Sequence, residues 1–151
     1  MPQGTWRNWL ELSADGLRQR VVPSPKAAAG ASRAQEAITH FEVVTEYSLA
    51  GGKAFVTKLR IRLETGRKHQ IRAQAAHAGF PLIGDRTYNP SYRPNAGTGL
   101  SIPFDRQALH AEVLTLEHPE APGKQMTWKA SLPKDLRQLE ATLQKGLAGI
   151  R

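Results

Sequence analysis

An alternating pattern of residues between Ala54 and Glu64 predicts a β-strand. Successive side chains of a strand point to opposite faces, so every second residue shares a face. The inner face of this strand then carries Phe55, Thr57, Leu59, Ile61 and Leu63, and the outer face carries Val56, Lys58, Arg60, Arg62 and Glu64. The pattern therefore predicts a half-buried strand with a basic outer face.

A short helix is predicted directly after this strand, from about Arg67 to Ala78. Thr65 is the candidate N-cap, because its hydroxyl can accept a hydrogen bond from a free N–H of the first turn. Gly79 suits the left-handed position that ends many helices, and Pro81 cannot continue one. One face of the helix carries His69, Arg72, Ala73 and Ala76. We therefore expect Arg72 to project from a rigid element toward a neighbouring part of the fold.

Three further strands and a closing helix complete the pattern. A strand over residues 37–46 precedes the alternating strand, and Gly51-Gly52 between them suits a hairpin turn, so the two strands form an antiparallel pair. Residues 108–116 and 126–130 are predicted strands joined by a turn around residues 120–123. The closing helix has one apolar stripe, formed by Leu132, Leu136, Leu139, Leu143 and Leu147. The predicted fold is α+β, with a mixed, mainly antiparallel sheet, a short central helix and a C-terminal helix.

Residues 1–36 are predicted to be an N-terminal segment with an exposed loop, and residues 37–151 to be the main part of the domain. Residues 21–33 are rich in proline, serine and small side chains, which is typical of an exposed loop. Trp6 and Trp9 belong to a short amphipathic piece before this loop. Two interpretations stay open for them: they are exposed and available for self-association, or they cover a local core.

The net charge of the chain is +8 and its pI is near 10.2, which favours a polyanionic partner. The basic residues are also concentrated, because one segment holds seven of them and a single acid, Glu64. The seven are Lys53, Lys58, Arg60, Arg62, Arg67, Lys68 and Arg72. Such a dense patch predicts salt-dependent binding of nucleic acid by residues 53–72.

Several other classes of protein are disfavoured. The sequence has no cysteine, which excludes disulfides and thiolate sites. No two histidines stand four residues apart with a glutamate between them, so we predict no metal site and expect structural roles for His40, His69, His77, His110 and His118. No apolar run approaches membrane-spanning length and the N-terminus has no signal-peptide core, so we expect a cytoplasmic protein without a membrane partner.

Residues 63–88, LETGRKHQIRAQAAHAGFPLIGDRTY, resemble the C-terminal signature of the RluA-type RNA pseudouridine synthases. Further blocks follow the order expected of that family. Residues 109–118, LHAEVLTLEH, and residues 129–136, KASLPKDL, are similar to its closing strands and final helix, and residues 37–44, AITHFEVV, are similar to the strand before the signature. The resemblance covers roughly residues 35–137 and implies part of the pseudouridine synthase fold.

The catalytic aspartate of that family lies in an upstream histidine-arginine-leucine-aspartate block, and this block does not occur in the chain. The aspartates present are Asp15, Asp85, Asp105 and Asp135, and all stand in other contexts. The resemblance therefore implies the C-terminal portion of such an enzyme, inactive alone. Its expected partners are RNA, either rRNA or tRNA, and the N-terminal half of the catalytic domain or a complementing chain. Self-association through the opened interface is a further expectation.

The resemblance also implies roles for individual residues. Arg72 is the expected partner of the missing aspartate; without it, Arg72 would reach solvent, pair with another acid or bind an anion. Leu114 is either an apolar contact near the target base or a plain core leucine. RNA-binding roles are expected for Arg60, Arg62, Arg67, Lys68 and His69. The implied reaction, uridine to pseudouridine, needs no cofactor, and the alternative is a non-catalytic RNA-binding module built on the same scaffold.

Overall fold

The computed structural model describes residues 2–24, 26, 33–48, 55–90 and 104–145. The elements in these ranges are β1 (Gln3–Leu12), β2 (Gln19–Val22), β3 (Gln35–Ser48), β4 (Phe55–Leu63), α1 (Gln70–His77), β5 (Val113–Glu117), β6 (Gln125–Lys129) and α2 (Lys134–Gln144). Every strand pair among them is antiparallel. The predicted α+β class with an antiparallel sheet, a short central helix and a C-terminal helix is confirmed.

The main sheet has four strands in the order β2-β1-β3-β4. The predicted antiparallel pairing of β3 with β4 is confirmed. Residues 49–54, which include the predicted turn at Gly51-Gly52, lie outside the described residues.

Residues 3–22 of the predicted N-terminal segment form the strands β1 and β2, which were not predicted from the sequence. β1 is an inner strand that pairs with β2 on one side and with β3 on the other. Trp6 packs against Phe41 of β3 with ring centroids 4.7 Å apart, and Leu10 is buried. Local propensity was a poor guide here because the strand is held by long-range backbone pairing. Trp6 and Trp9 are both partly buried. Most of the predicted loop lies outside the described residues.

The helix α1 begins later than predicted, at Gln70 rather than near Arg67. Its N-cap position is His69, which has a left-handed backbone with φ 51° and no side-chain cap. Thr65 has a different role: its hydroxyl accepts a hydrogen bond from the N–H of Ile38 at 2.8 Å and donates one to Oε1 of Gln70 at 2.9 Å. The predicted left-handed Gly79 is confirmed, with φ 86°.

The predicted inner and outer faces of β4 are wrong at both ends of the strand. The register between β3 and β4 shifts between Val43 and Thr45, which marks a bulge. Near the start of β4, Val56 packs against the core and Lys58 contacts Glu140 of α2 at 2.6 Å, although both were predicted to face outward. At the other end, Leu63 is exposed. The basic Arg60 and Arg62 between these ends are exposed as predicted.

Two buried clusters hold the domain together. The larger cluster joins α2 to the end of β3 and consists of Tyr47, Phe104, Leu136, Leu139 and Leu143. The smaller cluster joins α1 to the sheet and consists of Leu10, Ala37 and Ala73. The predicted leucine stripe of the closing helix is confirmed for its described members, and Leu147 lies outside the described residues.

β5 and β6 form a separate two-stranded sheet. β5 is shorter than predicted, whereas β6 has the predicted length and begins one residue earlier. The two strands are joined across a turn in which Gly123 has φ 82°. Within the described ranges, no helix has the length and apolar character needed to cross a membrane.

We predict that Gly84→Ala destabilises the chain far more than Gly79→Ala. Both glycines have positive φ, which costs a residue with a side chain about 1–2 kcal/mol. At Gly84 an added Cβ would also collide with the carbonyl oxygen of Arg106, whereas Gly79 faces open space. We expect a loss of about 3 kcal/mol or more for Gly84→Ala and about 1–2 kcal/mol for Gly79→Ala, measured by urea unfolding. Equal losses would contradict the close approach at Gly84.

Candidate functional site

Arg72 of α1 forms a two-pronged ion pair with Asp85. The Arg72 Nε atom donates to Oδ2 at 2.7 Å, and the Nη2 atom donates to Oδ1 at 2.8 Å. The Asp85 side chain is fully buried and the Arg72 side chain is 14% exposed. We expected Arg72, without the upstream aspartate, to reach solvent, to pair with another acid or to bind an anion. The structure shows the second outcome, pairing with another acid.

Asp85 is held by the turn that follows α1. Its Oδ1 atom also accepts hydrogen bonds from the backbone N–H of Thr87 at 3.0 Å and of Tyr88 at 3.1 Å. Burial alone raises the pKa of Asp85, but the hydrogen bonds from Arg72 and from these two N–H groups outweigh it, so the pKa is lowered. The hydrogen bond to Asp85 raises the pKa of Arg72. Both partners are therefore charged, and the pair is a fixed ionic structure at neutral pH.

One edge of the Arg72 guanidinium is not used by this ion pair. Among the described residues, no side chain or carbonyl accepts a hydrogen bond from Nη1 of Arg72. The Arg72 side chain as a whole is 14% exposed. A guanidinium has five N–H donors in a fixed plane, so Arg72 can bind a second anion while Asp85 holds the first.

Tyr88 connects the ion pair to the N-terminal end of α1. The Arg72 Cζ atom lies 5.1 Å from the centroid of the Tyr88 ring, in cation–π geometry. The Tyr88 hydroxyl accepts a hydrogen bond from the N–H of Gln19 at 2.7 Å and lies 3.1 Å from Nδ1 of His69. The ring of Tyr88 thus forms one wall beside the guanidinium. Sequence reasoning included Tyr88 in the signature and gave it no role.

His69 is placed beside this group in a strained backbone conformation. Burial lowers the pKa of His69, and the positive charges of Arg72 and Lys68 lower it further. A neutral ring lets Nδ1 accept the hydroxyl hydrogen of Tyr88, which fixes the orientation of both side chains. Left-handed backbone at a residue other than glycine is costly and is often found at functional sites.

Two buried glutamines, which sequence reasoning did not single out, hold α1 against the sheet. Gln70 donates from Nε2 to the Ile38 carbonyl at 3.1 Å and to the Thr39 hydroxyl at 2.9 Å. The Gln74 amide accepts from the Thr39 hydroxyl at 2.6 Å, and it donates to the carbonyl of Ala37 at 3.1 Å. Their spacing of four residues was the available signal, because it puts both on one helix face.

The predicted basic patch is smaller in the structure than in the sequence. Lys58 and Arg72 are paired with acids, and Lys53 lies outside the described residues. The exposed members are Arg60, Arg62, Arg67 and Lys68. Arg60 has only a loose contact with Glu42 at 3.7 Å. Arg67 and Lys68 precede the helix and donate to backbone carbonyls, of Glu36 at 3.2 Å and of Gly16 at 2.5 Å.

Leu114 lies apart from the group around Arg72, on the two-stranded β5–β6 sheet. Its side chain is 57% exposed in this chain and belongs to neither buried cluster of the described residues. The structure thus brings together Arg72, His69 and the turn at Asp85, and it leaves Leu114 on a different surface. In the described part of the chain, no group of three or more His, Asp or Glu side chains is arranged to hold a metal ion.

We predict that Asp85→Asn destabilises the chain by about 3–5 kcal/mol, measured by urea unfolding. Asparagine has nearly the same shape, but it leaves the largely buried charge of Arg72 without its carboxylate. The matched control is Asp135→Asn, which breaks an exposed Arg106–Asp135 pair of the same type at 2.8 Å. Because exposed pairs contribute little, the control should cost less than about 1 kcal/mol. A loss at Asp85 as small as the control would show that the buried pair does not hold the site.

Comparison with known proteins agrees with the signature in residues 63–88. The sequence model of the family described as RNA pseudouridylate synthase matches residues 3–77. The ribosomal large subunit pseudouridine synthase D of Yersinia pestis is 44% identical over 108 residues, which cover 68% of this chain and 31% of that protein. The proteins of the same name from Escherichia coli K12 and Haemophilus influenzae are 42% and 43% identical over the same shares. The chain spans about a third of the length of these curated relatives.

A solved structure has the same fold. Human RNA Pseudouridylate Synthase Domain Containing 1 aligns with a TM-score of 0.60 and 21% identity, over 94% of this chain and 59% of that one. The resemblance to the RluA-type enzymes is therefore confirmed, and the matched region is the C-terminal part of the curated relatives. The chain belongs to the RNA pseudouridylate synthase family.

Proposed function

We propose that this chain supplies the arginine side of the active site of an RNA pseudouridine synthase that acts on ribosomal RNA in the cytoplasm. The chain alone is inactive. The names of its relatives, which refer to the large ribosomal subunit, favour rRNA over tRNA as the substrate. The observation that carries the proposal is the unused edge of Arg72 beside a fixed Asp85.

The reaction sets clear requirements for this site. The bond between the sugar and the uracil nitrogen breaks, the base rotates, and a bond from the sugar to a ring carbon forms. That carbon loses its hydrogen as a proton and the freed nitrogen gains one, so no cofactor or redox partner is required. The target base must leave its stack, and the site must hold an ionised carboxylate beside it. By the family resemblance, this carboxylate comes from the upstream part of the fold.

Arg72 is suited to hold that carboxylate in its charged form. A guanidinium in contact with a carboxylate lowers the pKa of the acid and fixes its direction. Because Asp85 binds Nε and Nη2, the second carboxylate would bind through Nη1, and the two acids would flank one rigid cation. Buried neighbours lock the helix that carries Arg72, which provides the precision that a catalytic arrangement needs.

We predict turnover in a chimera in which this chain replaces the matched segment of the Yersinia pestis relative. The substrate is an unmodified transcript of large-subunit rRNA, and the measurement is release of the hydrogen from the uracil carbon that forms the new bond. Arg72→Ala should reduce turnover by at least about a hundredfold, because the carboxylate loses its orientation. Arg72→Lys should not restore it, since an ammonium lacks the planar fork that two carboxylates share.

The isolated 151-residue chain is the matched negative control and should show no turnover. A chimera that is folded and binds RNA without turnover would contradict the catalytic proposal and would favour the alternative, a non-catalytic RNA-binding module. Wild-type turnover by the Arg72→Ala chimera would contradict the role of Arg72 alone.

A group of exposed cations is the candidate RNA-binding surface for either function. Arg60 and Arg62 point to the same face of β4, and Arg67 and Lys68 follow in the turn before α1. We propose that these four side chains, with His69 beside them, bind RNA phosphates. This proposal is compatible with either function, because both require affinity for RNA.

We predict that the double variant Arg60→Gln/Arg62→Gln binds single-stranded RNA with a weaker salt dependence than the wild type. On a single strand each phosphate contact adds about 0.7 to the magnitude of the slope of log affinity against log salt, so loss of two contacts should reduce that magnitude by about 1.4. The control is Lys134→Gln/Arg137→Gln, which removes the same charge from exposed positions of α2. An equal reduction in both variants would attribute the effect to net charge and would contradict a specific contact at β4.

A further inference from the structure

We propose that one face of the β5–β6 hairpin is the docking surface for the part of the pseudouridine synthase fold that the curated relatives carry outside their matched segment. The apolar hairpin face, as we call it, is formed by Leu114, Leu116, Met126 and Trp128. It is independent of the chemistry proposed for Arg72, because it follows from hairpin geometry and family membership.

Strand register separates apolar from polar side chains on this hairpin. Leu114 is directly opposite Trp128, and Leu116 is directly opposite Met126. The residues between them point to the other face, where the hydroxyls of Thr115 and Thr127 are 2.9 Å apart. One face is therefore continuously apolar across both strands, and the other is mainly polar.

Local hydrogen bonds fix the conformation that presents this face. At the turn, the N–H of Gly123 donates to Oε1 of Glu117 at 2.6 Å, and the N–H of His118 donates to the Lys124 carbonyl at 2.8 Å. At the open end, the N–H of Ala130 donates to the Glu112 carbonyl at 2.9 Å. The register is thus fixed from end to end.

The apolar hairpin face is uncovered. Leu114 is 57% exposed, Trp128 is 45% exposed and Leu116 is 41% exposed. None of the four side chains belongs to either buried cluster of the described chain. Ala108 and Leu132, which flank the hairpin, do pack against the larger cluster, so the hairpin extends from an anchored base. A two-stranded hairpin with an apolar face requires another layer of structure for stability.

The length of the relatives indicates which polypeptide can cover the apolar hairpin face. This chain spans 31% of the Yersinia pestis protein and matches 59% of the solved human chain. Both proteins therefore contain further polypeptide next to the matched region. A domain buries the apolar face of a sheet against another layer of the same fold. Among the described residues, no such layer covers the apolar face of the β5–β6 hairpin.

Charge argues against the two other occupants, RNA and a second copy of this chain. Between Glu112 and Lys129 there are three acids, Glu112, Glu117 and Glu120, and two lysines, Lys124 and Lys129. This segment is not basic, so it lacks the attraction for phosphates that the surface at β4 has. Two copies of a chain with a net charge of +8 repel each other, which disfavours pairing through this face.

The test is co-expression of the complete 151-residue chain with the Yersinia pestis relative that lacks its matched segment. We expect a one-to-one complex, identified by co-purification and light scattering. Leu114→Ser and Trp128→Ser should each weaken the complex by at least about tenfold, because large central apolar side chains dominate such interfaces. The readout is binding and not turnover, so it is separate from the outcome of the chimera experiment.

Val113→Ser is the matched control, because Val113 is adjacent in sequence and 52% exposed, yet it lies on the opposite face of the hairpin. This variant should bind as tightly as the wild type. All three variants should keep the wild-type urea midpoint when free, since the replaced side chains are exposed there. No complex, or a complex equally tight with every variant, would overturn the proposal. Wild-type dimers that Leu114→Ser dissociates would also overturn it in favour of a second copy.

A second measurement does not depend on altering the face. In a Trp6→Phe/Trp9→Phe background, Trp128 is the remaining tryptophan of the chain. Its fluorescence should be quenched readily by acrylamide in the free chain and several-fold less in the complex. Unchanged quenching in a complex that does form would place the contact elsewhere and would overturn the proposal.

Discussion

The position of α1 on the sheet depends on the amide groups of Gln70 and Gln74. Both are buried one helical turn apart, and together they satisfy backbone carbonyls of β1 and β3 and the hydroxyl of Thr39. Loss of a buried hydrogen-bond partner costs about 1–3 kcal/mol. Any shift of α1 along the sheet would break the hydrogen bonds of these amides, so the observed position of the helix is favoured. Arg72 lies between these two residues, and its location is consequently set by the sheet and not only by its own ion pair.

This anchoring explains how a short helix can carry a charged residue in a nearly closed environment. The buried Asp85 binds Arg72 from the turn after the helix, and the ring of Tyr88 covers one side of the guanidinium. The turn itself is fixed by Gly84, whose missing side chain allows Arg106 to approach. The sheet, through the two glutamines, and the turn at residues 84–88 thus fix one cation, and the part of Arg72 that stays accessible is the result of that arrangement.

The sequence allowed the fold class, the β3–β4 pair and the closing helix to be predicted, and its signature singled out Arg72, whose catalytic role stays a prediction. Those features have strong local signals, namely alternation, an apolar stripe and an ordered signature. β1 was missed because its stability comes from pairing with β3 some thirty residues away, which no local pattern reveals. The helix α2 packs on the face of β4 that carries Val56 and Lys58, and alternation within β4 does not indicate which of its faces meets a distant helix. The Arg72–Asp85 pair spans thirteen residues and a turn, so helix periodicity could not identify it.

The internal pairing of Arg72 also affects how such a fold can be divided. If the acid that pairs with Arg72 lay in another part of the fold, Arg72 would stay unpaired until both parts were present. Here Asp85 neutralises it from within the same 151 residues. A cut upstream of β1 therefore leaves no unpaired buried charge at Arg72, because both partners of the ion pair lie on the same side of that cut.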